Sequence, residues 1–445
     1  MPARPSVPRR SPLARPRRLP GAPWRSETWG GAVAALARTE AVGGVLLAVM
    51  VVVALLWANL PAHSSYGRVW ATPAHWALLP ADQFGTVRDW VDNGLMTVFF
   101  LAVGLEVGRE RAHGALRDTR NAVLPAVAAL GGMAGAALAY LAAVAAIGDG
   151  GAAAKGWGVP MATDVAFTLA ALALLGRRVP PALRVFVLAL AVADDVASVV
   201  VLAVTSASHG HLRPWALAAA VTCFAVVAVG RRWVRRAWWP YLLAAVAGWA
   251  LLAWGGVEPT LAGACIGLLV PASSGPAASS GPAASSGVPA SSGRPDGPDR
   301  SPAARLEAVA NPVAILVVLP VFAVANTGVV LAGHLLGQPA TRSVLVGVVV
   351  ARLAGKVVGI TGAVLLVDRL GVAGLPDGVG WRQLVGAAAM CGMGFTVPLL
   401  FAATAFAGHP PLVAAAQVGL LVGTLAAFVA GAVTLLAGRR PGRVN

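Results

Sequence analysis

The sequence predicts an all-α polytopic membrane protein with twelve transmembrane helices. Of its 445 residues, 58% are hydrophobic and only 12% are charged, and the mean hydropathy is +0.75. A soluble domain of this length needs far more polar surface. Apolar stretches of about 20 residues, enough to cross a bilayer, recur along the chain. A soluble protein with an oversized core is therefore the weaker interpretation.

Twelve apolar spans divide the chain. We draw them at residues 39–60, 93–108, 122–148, 158–175, 182–206, 214–230, 240–255, 258–271, 311–333, 344–367, 383–407 and 411–437. The predicted organisation is a disordered basic tail (1–37), helices 1–8 (38–271), a linker (272–304), helices 9–12 (305–437) and a short tail (438–445). The linker is rich in Ser, Gly and Pro, a composition typical of a flexible tether.

The basic residues predict the orientation. The arginine-rich start of the chain is followed by an apolar run that begins only near Val42, which favours a retained first helix over a cleaved signal peptide. With both termini in the cytoplasm, the external loops hold only five basic residues: Arg68, Arg88, Lys155, Arg213 and Arg342. This distribution obeys the positive-inside rule. The net charge of +16 thus reflects basic residues that set the orientation in the membrane, and no nucleic-acid partner is expected.

Cysteine and histidine give no sign of a cofactor. The three cysteines lie apart in apolar segments and none belongs to a CxxC pair, so neither a disulfide framework nor a thiolate metal site is indicated. His209 and His211 form a loop pair that is either a metal-ligand pair or, as we prefer, a solvated turn. We predict no cofactor and no resident metal.

Three carboxylates lie where hydrocarbon is expected. Asp164, Asp194 and Asp195 fall well inside apolar spans, where a charge costs about 2.5–3.5 kcal/mol and usually faces a cavity. Adjacent residues on a helix point about 100° apart, so Asp194 and Asp195 cannot easily both ionise at low dielectric. Such a pair can exchange a proton for a small hard cation. The alternative is a buried ion pair or a protonated carboxyl that only stabilises packing.

One lysine lies inside a span as well. Lys356 follows Arg352 by four residues and therefore shares its helix face. A buried lysine can lose its proton, whereas arginine in practice cannot. We interpret Lys356 either as a group that exchanges a proton or as the structural partner of Asp194, and the two roles are compatible.

Two spans look interrupted. Gly158 and Pro160 precede Asp164, and Gly392 and Gly394 divide another apolar span. Unwound backbone at membrane depth is tolerated only where it lines a cavity or is buried in protein. Each interruption lies in the middle span of a triplet, 122–206 and 344–437, which predicts inverted-topology repeats around a midplane site.

In these residues and their order, the chain resembles the bacterial NhaA-type Na⁺/H⁺ antiporters. The matching stretches run in the family's order over roughly residues 38–437. They are Gly94-Leu95-Met96, Phe99 to Val107, Ala162 to Phe167, Val179-Pro180, Ala193-Asp194-Asp195, Pro320, Ala325 to Val329, Gly355-Lys356, Gly359-Ile360 and Gly394-Phe395-Thr396.

The resemblance implies a function and a site. It implies two discontinuous helices that cross, and electrogenic extrusion of Na⁺ or Li⁺ in exchange for inward H⁺ across the inner membrane. The resemblance implies that Asp195 is the main carboxylate that binds the cation and the proton, and that Asp194 lies beside it. Asp164 and Thr163 lie at the crossing, where Asp164 compensates the helix-end dipoles, and Lys356 pairs with Asp194 or carries a proton.

The chain also departs from the family pattern. Asp92-Asn93 reverses the usual order, and Gly108 replaces a common lysine, although four residues expected to regulate the response to pH remain: Glu106, Arg109, Glu110 and Glu307. Positions often occupied by histidine are Glu258, Ala308 and Asn311. These changes affect the expected pH profile and leave the transport core intact. The family also implies a homodimer through the first external loop (61–90), with membrane lipid around it.

Two other functions compete with antiport. A Na⁺-coupled organic solute symporter can also use broken helices, but it needs a larger polar cavity than the few polar residues in these spans provide. An intramembrane aspartyl protease needs a Gly-x-Gly-Asp motif, and here Gly392-Met393-Gly394 is followed by Phe395. The sequence therefore predicts a transporter and not an enzyme.

Overall fold

The structure is a computed structural model. It describes residues 27–60, 63–81, 83–113, 119–148, 151–207, 212–231, 237–271, 301–329, 337–376 and 378–437. Within these ranges the chain is helical and forms no β-strand. The described part of the chain therefore has the all-α fold that the sequence predicts.

Fourteen α-helical elements follow one another in the described ranges. They are α1 (Glu27–Asn59), α2 (His63–Trp70), α3 (87–113), α4 (Thr119–Ile147), α5 (Val165–Leu174), α6 (Pro181–Ala207), α7 (Pro214–Gly230), α8 (Trp239–Gly255), α9 (Leu261–Leu269), α10 (Pro302–Thr327), α11 (Pro339–Arg369), α12 (Trp381–Met390), α13 (Thr396–Ala405) and α14 (Pro410–Leu436). Three of them contain a wider π-helical turn, at Trp90–Leu95 in α3, Ala314–Val318 in α10 and Ala351–Gly355 in α11.

Seven of the described helices are long and apolar enough to cross a membrane: α1, α3, α4, α6, α10, α11 and α14. Large apolar side chains are exposed on α1, α4, α6, α10, α11 and α14, and Leu138, Val358 and Leu425 are each more than 60% exposed. Contiguous exposed apolar surface is costly in water and typical of a lipid-facing surface. The chain is therefore a multi-pass membrane protein.

Two element boundaries differ from those expected. Helix α1 already begins at Glu27, so residues 27–37 are helical, and only residues 1–26 of the expected tail lie outside the described ranges. Helix α10 begins at Pro302, earlier than the span predicted from residue 311. There the Ser301 hydroxyl accepts a 3.1 Å hydrogen bond from the amide of Ala304 and caps the helix. The rest of the linker (272–300) and the tail (438–445) also lie outside the described ranges.

A glycine-mediated crossing of α4 and α11 brings the intramembrane lysine to the centre of the protein. A Cβ at Gly135 would lie only 2.7 Å from the Cα of Gly359, and a Cβ at Gly359 would lie 3.1 Å from the Cα of Gly132. Small residues spaced in this way allow helix backbones to approach closely in a membrane. Lys356 lies on the same stretch of α11 and is 1% exposed.

Candidate ion-binding site

Two non-helical segments lie against each other in the middle of the protein. The first break is residues 159–164, between the 3₁₀ turn Ala152–Gly158 and α5; the second break is residues 391–395, between α12 and α13. The Asp164 amide donates to the carbonyl of Met393 at 3.1 Å, and the Thr163 hydroxyl donates to the carbonyl of Cys391 at 2.9 Å. Every residue of both breaks is buried, so their backbone groups rely on protein partners.

The four residues predicted to interrupt helices all lie at or beside these breaks. Gly158 ends the 3₁₀ turn against the ring of Phe401, and Pro160 is buried in the first break. A Cβ at Gly392 would lie 2.6 Å from the Arg352 carbonyl, and one at Gly394 would lie 3.1 Å from the Ala162 carbonyl. The close approach of α11 therefore explains Gly392, and the close approach of the first break explains Gly394.

Asp194 forms a buried ion pair with Lys356. Their Oδ2 and Nζ atoms lie 3.1 Å apart, and the side chains are 0% and 1% exposed. The same Oδ2 accepts a 2.7 Å hydrogen bond from the Thr163 amide, and Lys356 Nζ donates to the Thr163 hydroxyl at 2.8 Å. The charge of Asp194 is therefore balanced inside the protein, and the first break is tied to α6 and α11.

Asp164 connects the N-termini of two helices. Its Oδ2 accepts a 3.1 Å hydrogen bond from the hydroxyl of Thr396, the first residue of α13, and its Oδ1 lies 3.5 Å from the Phe167 amide in the first turn of α5. Helix N-termini carry partial positive charge, which a carboxylate stabilises. Asp164 therefore contacts the first turns of both helices, and its role in compensating helix dipoles stays a prediction.

Asp195 differs from its neighbour in its surroundings. It is 8% exposed, and it lines a cavity of about 70 Å³, whose walls do not include Asp194. No hydrogen bond or ion pair to the Asp195 carboxylate is found among the described residues. The cavity has room for a few water molecules, and the polar residues on its walls are Glu106, Thr163, Asp164, Asp195, Asn311 and Thr396.

Two contacts were not anticipated from the sequence. The sequence shows Thr396 only as part of a motif, whereas in the structure its hydroxyl contacts Asp164. The sequence shows only that Arg352 shares a helix face with Lys356, whereas in the structure its guanidinium donates to backbone carbonyls in both breaks. The contact partners of Thr396 and Arg352 are distant in the chain, so no local pattern predicts these contacts. The only sign in the sequence was that Arg352 is a second basic residue in the same span as Lys356.

Of the four residues expected to regulate the pH response, one lines the cavity and two form an ion pair. Glu106 is in the cavity wall, and Arg109, one turn further along α3, pairs with Glu307 of α10 at 3.2 Å. The Arg109 and Glu307 side chains are 41% and 16% exposed, so solvent screens this pair. Glu110 belongs to α3, but its side chain lies outside the described ones.

Comparison with known proteins gives the family. The family described as Na⁺/H⁺ antiporter 1 matches residues 34–435. The chain is 38% identical to Na(+)/H(+) antiporter NhaA 3 of Frankia alni, over 96% of this chain and 93% of that protein. It is 39% identical to Na(+)/H(+) antiporter NhaA of Mesorhizobium japonicum, with 89% and 92% covered. These matches confirm the resemblance seen in the motifs, and the chain belongs to the Na⁺/H⁺ antiporter 1 family.

Proposed function

We propose that this Na⁺/H⁺ antiporter binds its two transported ions in turn at Asp195, and that it extrudes Na⁺ or Li⁺ while H⁺ moves inward. The observation that carries the proposal is the contrast within the carboxylate pair. Lys356 neutralises Asp194 in a fully buried ion pair, whereas Asp195 faces a cavity. A carboxylate that faces a cavity at membrane depth is suited to an ion pathway.

Competition between the two ions follows from the chemistry of one carboxylate. Ionised Asp195 supplies a hard anionic oxygen, and Thr163, Asp164 and Thr396 supply further oxygens on the cavity wall. Hard oxygen donors suit small hard cations. A proton on Asp195 removes the negative charge that attracts the cation, so binding of one ion releases the other.

Lys356 completes the charge balance of the site. While it is protonated, it compensates Asp194 and holds the Thr163 hydroxyl. A buried lysine can release its proton, so Lys356 is the second candidate proton carrier. Movement of more positive charge inward as H⁺ than outward as Na⁺ would make transport electrogenic.

The architecture we propose has twelve spans. The seven long apolar helices are supplemented by α7, α8 and α9 and by two discontinuous spans, Ala152–Gly158 with α5 and α12 with α13. Each discontinuous span is the middle member of a triplet, which supports two inverted repeats that rock around a midplane site.

The distribution of basic residues supports an inner-membrane protein with both termini in the cytoplasm. The linker between α9 and α10 would then be cytoplasmic and act as a tether. Glu106, Arg109, Glu110 and Glu307 would adjust activity to cytoplasmic pH. A homodimer in contact with membrane lipid completes the proposal.

The family assignment supports antiport and gives no support to the solute symporter alternative. It also agrees with the prediction that the protein is a transporter and not an enzyme. The cavity beside Asp195, about 70 Å³ in volume, suits a small ion better than an organic solute, because ligand pockets for such solutes measure about 300 Å³ or more.

Everted membrane vesicles with an imposed pH gradient and a fluorescent ΔpH probe test the proposal. Addition of Na⁺ or Li⁺ should collapse the gradient, and Asp195→Asn should abolish the response. The matched control is Asp368→Asn, an exposed carboxylate at the end of α11, which should respond like wild type. A wild-type protein that fails to respond at any pH from about 6.5 to 9, a range that brackets ordinary operating pH, would overturn the proposal.

A further inference from the structure

A second cation is buried beside Lys356. Arg352 is 0% exposed and lies in the π-helical turn Ala351–Gly355, which ends directly before Lys356. Burial of a guanidinium is costly unless its charge and its N–H groups find partners. Wider turns of this kind occur frequently at functional sites. The partners of Arg352 therefore indicate what the residue does.

The guanidinium joins the two breaks. Nη1 donates to the carbonyl of Gly392 in the second break, and Nη2 donates to the carbonyl of Ala162 in the first break at 3.3 Å. Gly394 lies directly against the group, since a Cβ there would lie 3.1 Å from Nη1. One side chain of α11 thus contacts both non-helical segments.

The two cations of α11 have different partners. Lys356 binds the Asp194 carboxylate and the Thr163 hydroxyl, whereas both hydrogen bonds of Arg352 go to backbone carbonyls. A planar guanidinium has several donors in a fixed geometry and keeps its charge in proteins, whereas an ammonium is a single point that can lose its proton.

We propose that Arg352 is a positioning residue that fastens the first break to the second through a permanent charge. Because its charge does not leave, the breaks stay joined while the groups around Asp194 and Asp195 change their bound ions. Arg352 also holds the backbone directly before Thr163 and Asp164 in register with the cavity. The inference concerns the ion site of the proposed function. Only the transport experiment rests on that function.

The first experiment does not depend on transport. Hydrogen–deuterium exchange of the purified protein is compared between wild type, Arg352→Met and Arg352→Lys. The matched control is Arg369→Met, the same change at an exposed position at the end of the same helix. Methionine retains an unbranched side chain but no charge and no donor.

Removal of the guanidinium should release both breaks. We expect peptides that cover 159–164 and 391–395 to exchange about tenfold faster or more in Arg352→Met, since charged hydrogen bonds to two buried carbonyls are lost. Arg369→Met should exchange like wild type. Unchanged protection in both peptides of Arg352→Met would overturn the proposal.

If Arg352→Met does not fold, the Arg352→Lys variant provides the test. The lysine ammonium is a single group on an unbranched side chain and reaches only one of the two carbonyls. Protection should therefore fall in one break peptide and persist in the other. Full protection of both peptides in Arg352→Lys would overturn the idea that the bidentate geometry matters.

The second experiment measures transport in everted vesicles. If Arg352 positions the ion site, Arg352→Met should raise the apparent KM for Na⁺ by about tenfold or more, and Arg352→Lys should restore part of this loss. A residue that serves only packing would lower the amount of folded protein and leave KM unchanged. If wild type shows no Na⁺ response, the proposed function fails, and the exchange experiment still decides the role of Arg352.

Discussion

The Nζ atom of Lys356 and the Oδ2 atom of Asp194 lie 3.1 Å apart, and neither side chain is more than 1% exposed. Asp195, the next residue, instead lines the cavity. Two neighbouring carboxylates of one helix thus have separate environments, one neutralised within the protein and one open to a small cavity. This difference underlies the roles assigned to the pair.

Loss of either partner of the buried pair should destabilise the protein. Asp194→Asn or Lys356→Met leaves an uncompensated buried charge, at a cost of about 3–5 kcal/mol. Thermal unfolding in detergent measures the effect. The double variant should recover much of the lost stability, because it leaves neither charge. A double variant less stable than both single variants would contradict the ion-pair assignment.

The hydroxyl of Thr396 should matter for Na⁺ binding through Asp164. Thr396→Val removes the 3.1 Å hydrogen bond but keeps the shape of the side chain, and a lost hydrogen bond to a charged group costs about 1.5–3 kcal/mol. We expect the apparent KM for Na⁺ in vesicles to rise about tenfold or more. Thr396→Ser retains the hydroxyl and should stay near wild type. Equal KM values for the two variants would exclude this role.

Obstruction of the cavity should stop transport without unfolding the protein. Val103 lines the cavity, and Val103→Phe places a ring where the ion and its water would pass. The vesicle response should be lost while the melting temperature changes little. Val358→Phe is the control, because Val358 is 69% exposed on the outer face of α11. Normal transport by Val103→Phe would mean that ions reach Asp195 by another path.

Two glycines of α11 should respond in opposite ways to the same substitution. A Cβ at Gly359 would clash with the backbone carbonyl of Gly131, whose carbon would lie 2.9 Å away, whereas one at Gly362 would meet nothing within 4 Å. Gly359→Ala should therefore cost about 1–3 kcal/mol of stability through overpacking. Gly362→Ala should be neutral or stabilise by up to about 1 kcal/mol, since alanine favours a helix. Similar melting temperatures for both variants would contradict the close crossing of α4 and α11.

The helical membrane fold and the charged residues inside the spans could be predicted from the sequence. Composition and apolar periodicity indicate the fold, and charges stand out where nearly every neighbour is apolar, as at Asp164 and Lys356. The start of α10 was missed because Arg305 and Glu307 resemble a loop, although Ser301 caps the helix and Glu307 pairs with Arg109.

Contacts between residues that are distant in the chain could not be predicted from the sequence. The bond between Thr396 and Asp164 joins residues 232 positions apart, and Arg352 reaches Ala162 across 190 positions. Neither pairing leaves a local pattern, because each depends on how the breaks and α11 pack. The different roles of Asp194 and Asp195 are implied by the family resemblance and stay a proposal, which their different surroundings support.

Proton release on Na⁺ binding tests the central role of Asp195 most directly. Purified protein in a weakly buffered solution at slightly alkaline pH receives Na⁺, with choline as the control cation, and a pH indicator records the protons released. Wild type and Asp368→Asn should release protons on addition of Na⁺ but not of choline, and Asp195→Asn should release none. Release by Asp195→Asn at the wild-type level would show that the cation and the proton compete elsewhere.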